Sequence, residues 1–257
     1  MTHYNQSLER LQNILNELRS KCPWDKKQTI HSLRSNTIEE LYELIDAIDQ
    51  DDWSNIKEEL GDLLLHILFY SKIADEQSQF SIQDVIEQIC NKLVRRHPHI
   101  YENIIVNSVD DVKQNWEKIK LKEGKKSVLS GVPAALPALT KAYRLQDKAK
   151  QIGFDWEKRD DVKEKVYEEL DELEIEIEQQ NIDKIEAEFG DVLFSLINYA
   201  RFLNIDPDKA LTRTNEKFKK RFEFMEVYCS QHNIAIEHLS LQELDNIWNK
   251  AKLHFSN

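Results

Sequence analysis

The stretch from Ile38 to Tyr70, IEELYELIDAIDQDDWSNIKEELGDLLLHILFY, has a second copy from Tyr167 to Tyr199, YEELDELEIEIEQQNIDKIEAEFGDVLFSLINY. Both copies contain Glu-Glu-x-x-Glu, then fifteen residues, then Glu-x-x-Asp, at a constant offset of 129 positions. The acidic residues are Glu39, Glu40, Glu43, Glu59 and Asp62 in the first copy and Glu168, Glu169, Glu172, Glu188 and Asp191 in the second. This internal repeat predicts two related structural units in one chain.

The carboxylates of each copy are spaced so that they converge if their segments form helices. Glu40 and Glu43 are three residues apart, as are Glu59 and Asp62, so each pair lies on one helix face. Antiparallel packing of the two helices would bring the four carboxylates together. The segment around Asp62 is apolar nearly all round, which indicates a buried helix, and buried carboxylates are costly unless a cation compensates them. The pattern therefore predicts a site for a hard cation such as Mg²⁺, which prefers oxygen ligands.

A different interpretation of the acidic pattern stays open, because Asp and Glu make up 47 of the 257 residues. Charged helix faces are usually solvated, and the chain would then be a helical interaction scaffold. A scaffold should gain little thermal stability from Mg²⁺, whereas a metal-binding protein should gain more.

The composition favours long helices and limits the kinds of partner. Only 5 Gly and 5 Pro interrupt the chain, and its net charge of −12 argues against binding to nucleic acid. The longest apolar run, Leu63 to Tyr70, is too short to span a membrane, and the N-terminal MTHYNQSLER resembles no signal peptide. The three scattered cysteines suggest a reducing compartment. We therefore expect a cytoplasmic protein without nucleic-acid or membrane partners.

Apolar periodicity and turn residues predict an all-α fold of two tandem, related helical bundles. The bundles are an N-terminal domain over residues 1–123 and a C-terminal domain over residues 138–257, with a Gly- and Pro-containing linker over 124–137. The helices are expected near residues 6–19, 37–49, 53–74, 81–96, 110–122, 139–151, 160–180, 182–203, 206–229 and 240–253. Helix starts are indicated by the spacing of Thr37 with Glu40, Ser81 with Asp84 and Ser240 with Glu243, and by Asp206 before Pro207.

Basic and aromatic residues recur along with the carboxylates. Each half has a Lys–Arg pair and a Trp–Lys pair at a spacing of four residues, which places both members on one helix face. The pairs are Lys92 with Arg96, Trp116 with Lys120, Lys217 with Arg221 and Trp248 with Lys252. Such cations can neutralise a polyphosphate, and a Trp can pack against a nucleobase. The simpler alternatives are a solvated basic face and a tryptophan of the core.

Other kinds of catalytic site are missing from the sequence. It contains no Gly-rich phosphate loop, no Glu-x-x-His pair, no Cys-x-x-Cys and no Gly-x-Ser-x-Gly. Carboxylates for Mg²⁺, paired cations and no nucleophilic side chain favour attack by water on a phosphoryl group. A phosphohydrolase of another polyphosphate remains an alternative at this stage.

The carboxylate motif and four further segments, CPWDKKQT (22–29), KLVRRHPH (92–99), GFDW (153–156) and NEKFKKRF (215–222), carry a family resemblance. The chain resembles two-domain bacterial members of the MazG family of nucleoside triphosphate pyrophosphohydrolases. The resemblance implies an all-α fold of the NTP pyrophosphatase type that works as a homodimer. It also implies Mg²⁺-dependent hydrolysis of a nucleoside triphosphate to the monophosphate and pyrophosphate, which clears unwanted nucleotides.

The resemblance also implies roles for residues of the second copy. Its catalytic metal ligands are Glu169, Glu172, Glu188 and Asp191, with Glu168 as a candidate general base. The implied nucleotide-binding residues are Lys165, Lys217, Arg221, Trp248 and Lys252. The equivalents in the first copy, a second possible metal site with its neighbours, are Glu40, Glu43, Glu59, Asp62, Lys92, Arg96, Trp116 and Lys120.

The two copies differ at positions on the face of the carboxylates. Asn198 lies seven residues, about two helical turns, after Asp191, and its counterpart in the first copy is Phe69. Ser195 likewise corresponds to His66. Because the second copy has small hydrogen-bonding groups there, we add Asn198 to the nucleotide-binding residues and predict that the second half is the main catalytic unit.

This asymmetry predicts unequal effects of matched substitutions. Glu172→Gln should lower turnover at least about a hundredfold, the effect expected when a group that stabilises developing charge is removed. Glu43→Gln, at the equivalent position, should lower it much less. Steady-state kinetics of both variants checks this, and equal losses would contradict the asymmetry.

Overall fold

The computed structural model describes residues 3–102 and 127–255, together with residues 104, 106, 108, 111, 112, 115, 116, 119 and 123. These residues contain helices and no strand, which confirms the predicted all-α class. The chain divides into two compact units, Met1–Ile105 and Val106–Asn257. The predicted domain limits stay predictions, and Lys120 and much of the helix predicted over 110–122 lie outside the described residues. None of the helices in the described ranges has the length and apolar character needed to cross a membrane.

The first unit packs its helices around a small apolar core. Its helices are α1 (His3–Lys21), α2 (Arg34–Asp49), α3 (Trp53–Glu76), α4 (Ile82–Arg96) and the short α5 (Pro98–Tyr101). The core consists of Leu15 from α1, Leu33 before α2, and Leu68, Phe69 and Ile73 from α3. These residues fasten α1 and the start of α2 to α3, and so fix the position of the acidic helices.

The second unit repeats this arrangement of two acidic helices. Its helices are α6 (Ala138–Lys150), α7 (Arg159–Gln179), α8 (Ile182–Phe202), α9 (Pro207–Gln231) and α10 (Leu241–His254). A separate core cluster, Met225, Cys229 and Ile247, joins α9 to α10. The acidic helices α7 and α8 pack against each other, and α6 packs on α8.

A tight turn connects the two acidic helices of each unit and makes them antiparallel. In the second unit Gln180 has a φ of 57°, the left-handed conformation that commonly ends a helix, and Asn181 then caps α8 by accepting a hydrogen bond from the Lys184 N–H. In the first unit Asp51 has a φ of 54° and the Asp52 side chain caps α3. These turns set the register that brings carboxylates of the two helices together.

Most predicted helix starts are confirmed, and one is wrong. Ser81 and Ser240 form capping boxes with Asp84 and Glu243, and Asp206 caps α9. Thr37, however, lies inside α2, which begins one turn earlier at Arg34. Both the amide and the hydroxyl of Thr37 donate to the Leu33 carbonyl, each at 3.0 Å, so the threonine bonds backward along the helix rather than capping it.

The apolar helices α3 and α8 are not buried all round, contrary to the prediction. Each has one exposed apolar stripe at equivalent positions of the repeat, consisting of Leu60, Leu64 and Ile67 on α3 and Phe189, Leu193 and Leu196 on α8. Within the described residues, the opposite faces of the two helices supply the buried side chains. The sequence pattern alone does not distinguish a face covered by the same unit from a face left exposed.

The core geometry predicts that Leu33→Ala is strongly destabilising. Leu33 is 0% exposed, so truncation removes buried apolar contacts and leaves a cavity, at an expected cost of about 3 kcal/mol in the free energy of unfolding. Ile100→Ala, at a residue that is 67% exposed, should cost less than about 1 kcal/mol. Urea unfolding of the full chain, followed by circular dichroism, measures both, and similar losses would contradict this packing.

Candidate functional site

The second carboxylate cluster consists of Glu169 and Glu172 from α7 and Glu188 from α8. One carboxylate oxygen from each residue lies within 4.8 Å of the others. Glu169 is buried, Glu188 is half-buried and Glu172 is exposed. Since protein oxygens bind divalent cations at roughly 2.0–2.6 Å, two ligands of one ion lie no more than about 5 Å apart. The donor chemistry and spacing therefore fit a single Mg²⁺ ion.

The first carboxylate cluster, Glu40, Glu43 and Glu59, has the same construction on α2 and α3. Its three carboxylate oxygens also lie within 4.8 Å of one another, and the buried Oε2 of Glu59 has no hydrogen-bond partner in the described part of the chain. Each unit thus brings together three of the four predicted ligands. Among the described residues, the predicted fourth ligands Asp62 and Asp191 are not members of these close clusters, and their role as ligands stays a prediction.

Like charges and burial perturb the acidity of both clusters. Partial burial raises the pKa of Glu188, and the neighbouring charges of Glu172 and Asp191 raise it further. In the first cluster burial raises the pKa of Glu40 and of Glu59, and repulsion from Asp62 and Glu43 adds to it. Carboxylates in such surroundings bind either a proton or a cation more readily than isolated ones do.

Lys165 distinguishes the second cluster from the first. Its ammonium group donates to Glu168 at 2.7 Å and lies 2.9 Å from the Glu169 carboxylate. The hydrogen bonds to Glu168 and Glu169 raise the pKa of Lys165 above its ordinary value, so the side chain stays charged. The equivalent position in the first copy is Asn36, which brings no charge. The second cluster therefore has a fixed internal cation.

An apolar pocket of about 880 Å³ adjoins the second cluster. Four of the predicted catalytic and nucleotide-binding residues line it, namely Lys165, Glu169, Asp191 and Asn198. Much of the remaining wall is apolar and comes from α6, α8 and the loops before α6 and α7, including Leu129, Leu145, Phe154, Trp156 and Phe194. The volume is in the range of sites for small organic molecules. The structure thus places a cavity for a ligand directly beside the carboxylates.

The other predicted nucleotide-binding residues lie apart from this pocket. Lys217 and Arg221 are on α9, Trp248 and Lys252 are on α10, and none of the four lines the pocket formed by the described residues. The Arg221 guanidinium lies 5.8 Å from the centre of the Trp248 ring, which packs against the core between α9 and α10. Their role in binding a nucleotide stays a prediction, as does that of Lys92, Arg96 and Trp116 in the first half.

Arg201 and Asp155 form a buried ion pair that sequence reasoning missed. The guanidinium of Arg201 on α8 donates through both terminal nitrogens to the Asp155 carboxylate, on the loop between α6 and α7. The pair ties that loop to α8 and forms part of the pocket wall. The available signal was that Arg201 is the one charged residue in the stretch 192–203, because a buried guanidinium requires an acidic partner.

In the first unit, larger buried side chains occupy the positions equivalent to Asn198 and Ser195, two polar residues that line the pocket of the second unit. Phe69, at the position equivalent to Asn198, is 3% exposed and belongs to the apolar core. His66, equivalent to Ser195, is also buried, and burial lowers its pKa. The first carboxylate cluster therefore has different surroundings, although its three carboxylates have the same spacing.

Comparisons with known proteins agree with this repeated architecture. The family model described as the MazG nucleotide pyrophosphohydrolase domain matches residues 28–101 and 158–224, which contain the two clusters. The chain belongs to this family of enzymes.

Individual relatives match nearly the whole chain. The chain is 44% identical over 249 residues to a Thermotoga maritima protein named nucleoside triphosphate pyrophosphohydrolase/pyrophosphatase MazG, with 95% of each chain covered. It is 37% identical over 254 residues to the nucleoside triphosphate pyrophosphohydrolase of Escherichia coli strain K12, with 95% of this chain and 97% of that one covered. It is also similar to the crystal structure of a mazG-related protein from Thermotoga maritima, at 26% identity and a TM-score of 0.40, over 44% of this chain and 98% of that one.

The raised pKa of Glu188 predicts a pH-dependent effect of Glu188→Gln in protein freed of metal by EDTA. When the folded-state pKa lies above the unfolded one, the ionised group destabilises the fold above that pKa, and protonation relieves this as the pH falls. Glu188→Gln should therefore stabilise the protein near neutral pH, and the gain should shrink as the pH falls through the raised pKa toward the ordinary value of 4.5.

Urea unfolding at several pH values measures this gain. Glu186→Gln is the matched control, because Glu186 is an exposed residue of the same helix outside the cluster. A gain for Glu188→Gln that grows at lower pH would contradict the assigned electrostatics.

Proposed function

We propose that the chain is a Mg²⁺-dependent nucleoside triphosphate pyrophosphohydrolase whose second unit is the main catalytic unit. The observation that carries the proposal is the second carboxylate cluster, which adjoins an apolar pocket of about 880 Å³ and has Lys165 between the two. The names of the Thermotoga maritima and Escherichia coli relatives support this activity. Its physiological role would be to remove unwanted nucleotides.

Glu169, Glu172 and Glu188 would hold the Mg²⁺ ion, with Asp191 as the proposed fourth ligand. When bound, Mg²⁺ supplies positive charge that polarises the phosphoryl group and stabilises the leaving pyrophosphate. Lys165 contacts Glu169 of the cluster and lines the pocket, so its positive charge can neutralise part of a triphosphate bound there. Positioning and charge neutralisation of this kind supply most of the catalysis in phosphoryl transfer.

Glu168 is the proposed general base of the reaction. It is exposed, and its carboxylate accepts a hydrogen bond from Lys165, which also contacts Glu169 of the cluster. A carboxylate beside the metal ligands can accept a proton from the attacking water. In the proposed step a water oxygen bonds to the α-phosphorus and its proton passes to Glu168. The bond from the α-phosphorus to the bridging oxygen breaks, and pyrophosphate leaves with that electron pair.

We also propose that the chain works as a homodimer. The stripes on α3 and α8 consist of large apolar side chains that are exposed to solvent in a regular row. Surfaces of this kind are usually covered by a partner. Symmetric self-association is the commonest way in which soluble proteins cover such a surface. The proposed enzyme needs no nucleic-acid or membrane partner.

Product analysis tests the proposed activity. With Mg²⁺ and a panel of NTPs and dNTPs, the chain should release pyrophosphate and the nucleoside monophosphate, and EDTA should abolish release. Glu169→Gln should lower the rate by about a hundredfold or more, because Glu169 is a buried member of the cluster. Glu174→Gln, at an exposed residue of α7 outside the cluster, should leave the rate nearly unchanged.

Other outcomes of this experiment would identify a different function. Release of orthophosphate would indicate a phosphohydrolase of another kind. No hydrolysis, together with no thermal stabilisation by Mg²⁺ and a triphosphate, would indicate a helical scaffold with solvated acidic faces.

A further inference from the structure

Gln146 offers a hydrogen-bond acceptor of fixed orientation on the wall of the apolar pocket. The residue lies on α6, is 8% exposed and lines the pocket. Its Nε2 donates to the Phe194 carbonyl at 2.8 Å, and since a carbonyl only accepts, this contact assigns nitrogen and oxygen within the amide. The remaining atom, Oε1, is buried without a hydrogen-bond partner in the described part of the chain. Buried acceptors are nearly always satisfied, so this oxygen calls for a donor from elsewhere.

Asn198 offers the complementary donor on the same wall. Its Oδ1 accepts hydrogen bonds from Arg201 Nε at 3.1 Å and Nη2 at 2.8 Å. A guanidinium has donors only, so the oxygen of Asn198 is the atom that faces Arg201. The ion pair with Asp155 holds Arg201 in place. The amide nitrogen of Asn198 makes no hydrogen bond within the described part of the chain, so it can donate to a ligand.

The two amides are neighbours. Phe194, whose carbonyl binds the Gln146 amide, precedes Asn198 by four residues, about one turn of α8. Gln146 therefore contacts the turn that also carries Asn198, and both residues line the pocket. The surrounding wall is apolar and aromatic, with Leu145, Phe154 and Trp156 among its members. The pocket thus combines apolar walls with one acceptor, Gln146 Oε1, and one donor, the Asn198 amide. A flat ring with an N–H donor beside an acceptor on its edge matches these groups.

We propose that the pocket binds the nucleobase of the triphosphate, with Gln146 Oε1 accepting from a base N–H and the Asn198 amide donating to the adjacent acceptor. This inference rests on the proposed function and identifies where the base binds and what recognises it. Adenine and cytosine have an amino group beside a ring nitrogen, while guanine and uracil have a ring N–H beside a carbonyl. Each of the four bases thus has an N–H donor beside an acceptor, which are the groups that Gln146 and Asn198 would bind.

The arrangement is confined to the second unit as far as the described residues show. The first copy has Phe69 at the position of Asn198, and this side chain is buried in the core. An aromatic ring there can neither donate the hydrogen bond nor leave room for a base. The difference between the copies therefore concerns substrate recognition, while the carboxylate spacing is common to both.

Gln146→Met tests the proposal, because methionine has a similar length and lacks the amide. We expect KM for ATP, CTP, GTP and UTP to rise about five- to tenfold, the usual effect of losing one neutral hydrogen bond, with kcat within about twofold. Inhibition by inorganic triphosphate, which has no base, should be unchanged.

Gln151→Met is the matched control. Gln151 also has a buried Oε1 without a partner in the described residues, and its Nε2 donates to Asp147 at 3.3 Å. It does not line the pocket, so KM should stay at the wild-type value.

A substrate analogue gives a second test that needs no variant. Benzimidazole riboside triphosphate keeps a flat double ring and the triphosphate but lacks the donor and acceptor edge of adenine. The wild-type chain should bind it more weakly than the Gln146→Met variant binds ATP, because the analogue loses the contacts with both Gln146 and Asn198. This measurement decides the question if Gln146→Met fails to fold.

The outcomes separate this inference from the proposed function. An unchanged KM for Gln146→Met, or equal KM values of the wild-type chain for ATP and the benzimidazole analogue, would overturn base recognition. Continued pyrophosphate release by the wild-type chain would then leave the proposed function intact. Failure to release pyrophosphate from any triphosphate would overturn both.

Discussion

Mutual repulsion among carboxylates that a helical hairpin forces together is the constraint on which the rest of this structure depends. The antiparallel pairs α2–α3 and α7–α8 each place one oxygen from each of three carboxylates within 4.8 Å of the others. Burial, and after it the repulsion between carboxylates, raises the pKa of Glu188, Glu40 and Glu59, so keeping them ionised in the folded chain has a cost. The apolar contacts of α3 and α8 with neighbouring helices stabilise each unit and offset this cost, so the helices stay in place with their carboxylates close together. The acidic positions are thus held close by contacts made elsewhere in each unit.

The two units meet the same constraint in different ways. In the second, Lys165 binds Glu168 and Glu169 and supplies positive charge, and small polar residues leave room for a pocket. In the first, Asn36 brings no charge, the buried Oε2 of Glu59 has no hydrogen-bond partner among the described residues, and Phe69 belongs to the core. Duplication preserved the hairpin, while the residues around each cluster diverged.

Within the described residues, sequence patterns predicted the long helices, most caps and three of the four carboxylates of each cluster. Helices and caps depend on residues within one or two turns of each other, and the repeated spacing indicated which carboxylates converge. The predicted start of α2 at Thr37 was wrong, because the helix begins one turn earlier, directly after Leu33, which is fully buried in the core. The Asp155–Arg201 ion pair and the hydrogen bond from Gln146 to Phe194 could not be predicted, because their partners are 46 and 48 positions apart in the sequence. Similarly, spacing placed Lys217 with Arg221, and Trp248 with Lys252, on one face of their helices but did not determine their distance from the pocket.

The Asp155–Arg201 ion pair has a consequence for the order in which the second unit folds. The acidic hairpin forms from contacts between helices joined by a two-residue turn, whereas the ion pair closes a loop of 46 positions. Contacts between distant residues form more slowly than local ones, because a longer loop must be closed before they are made. The hairpin can therefore assemble first and the pocket wall later, so a newly made chain would acquire its carboxylate cluster before its complete pocket.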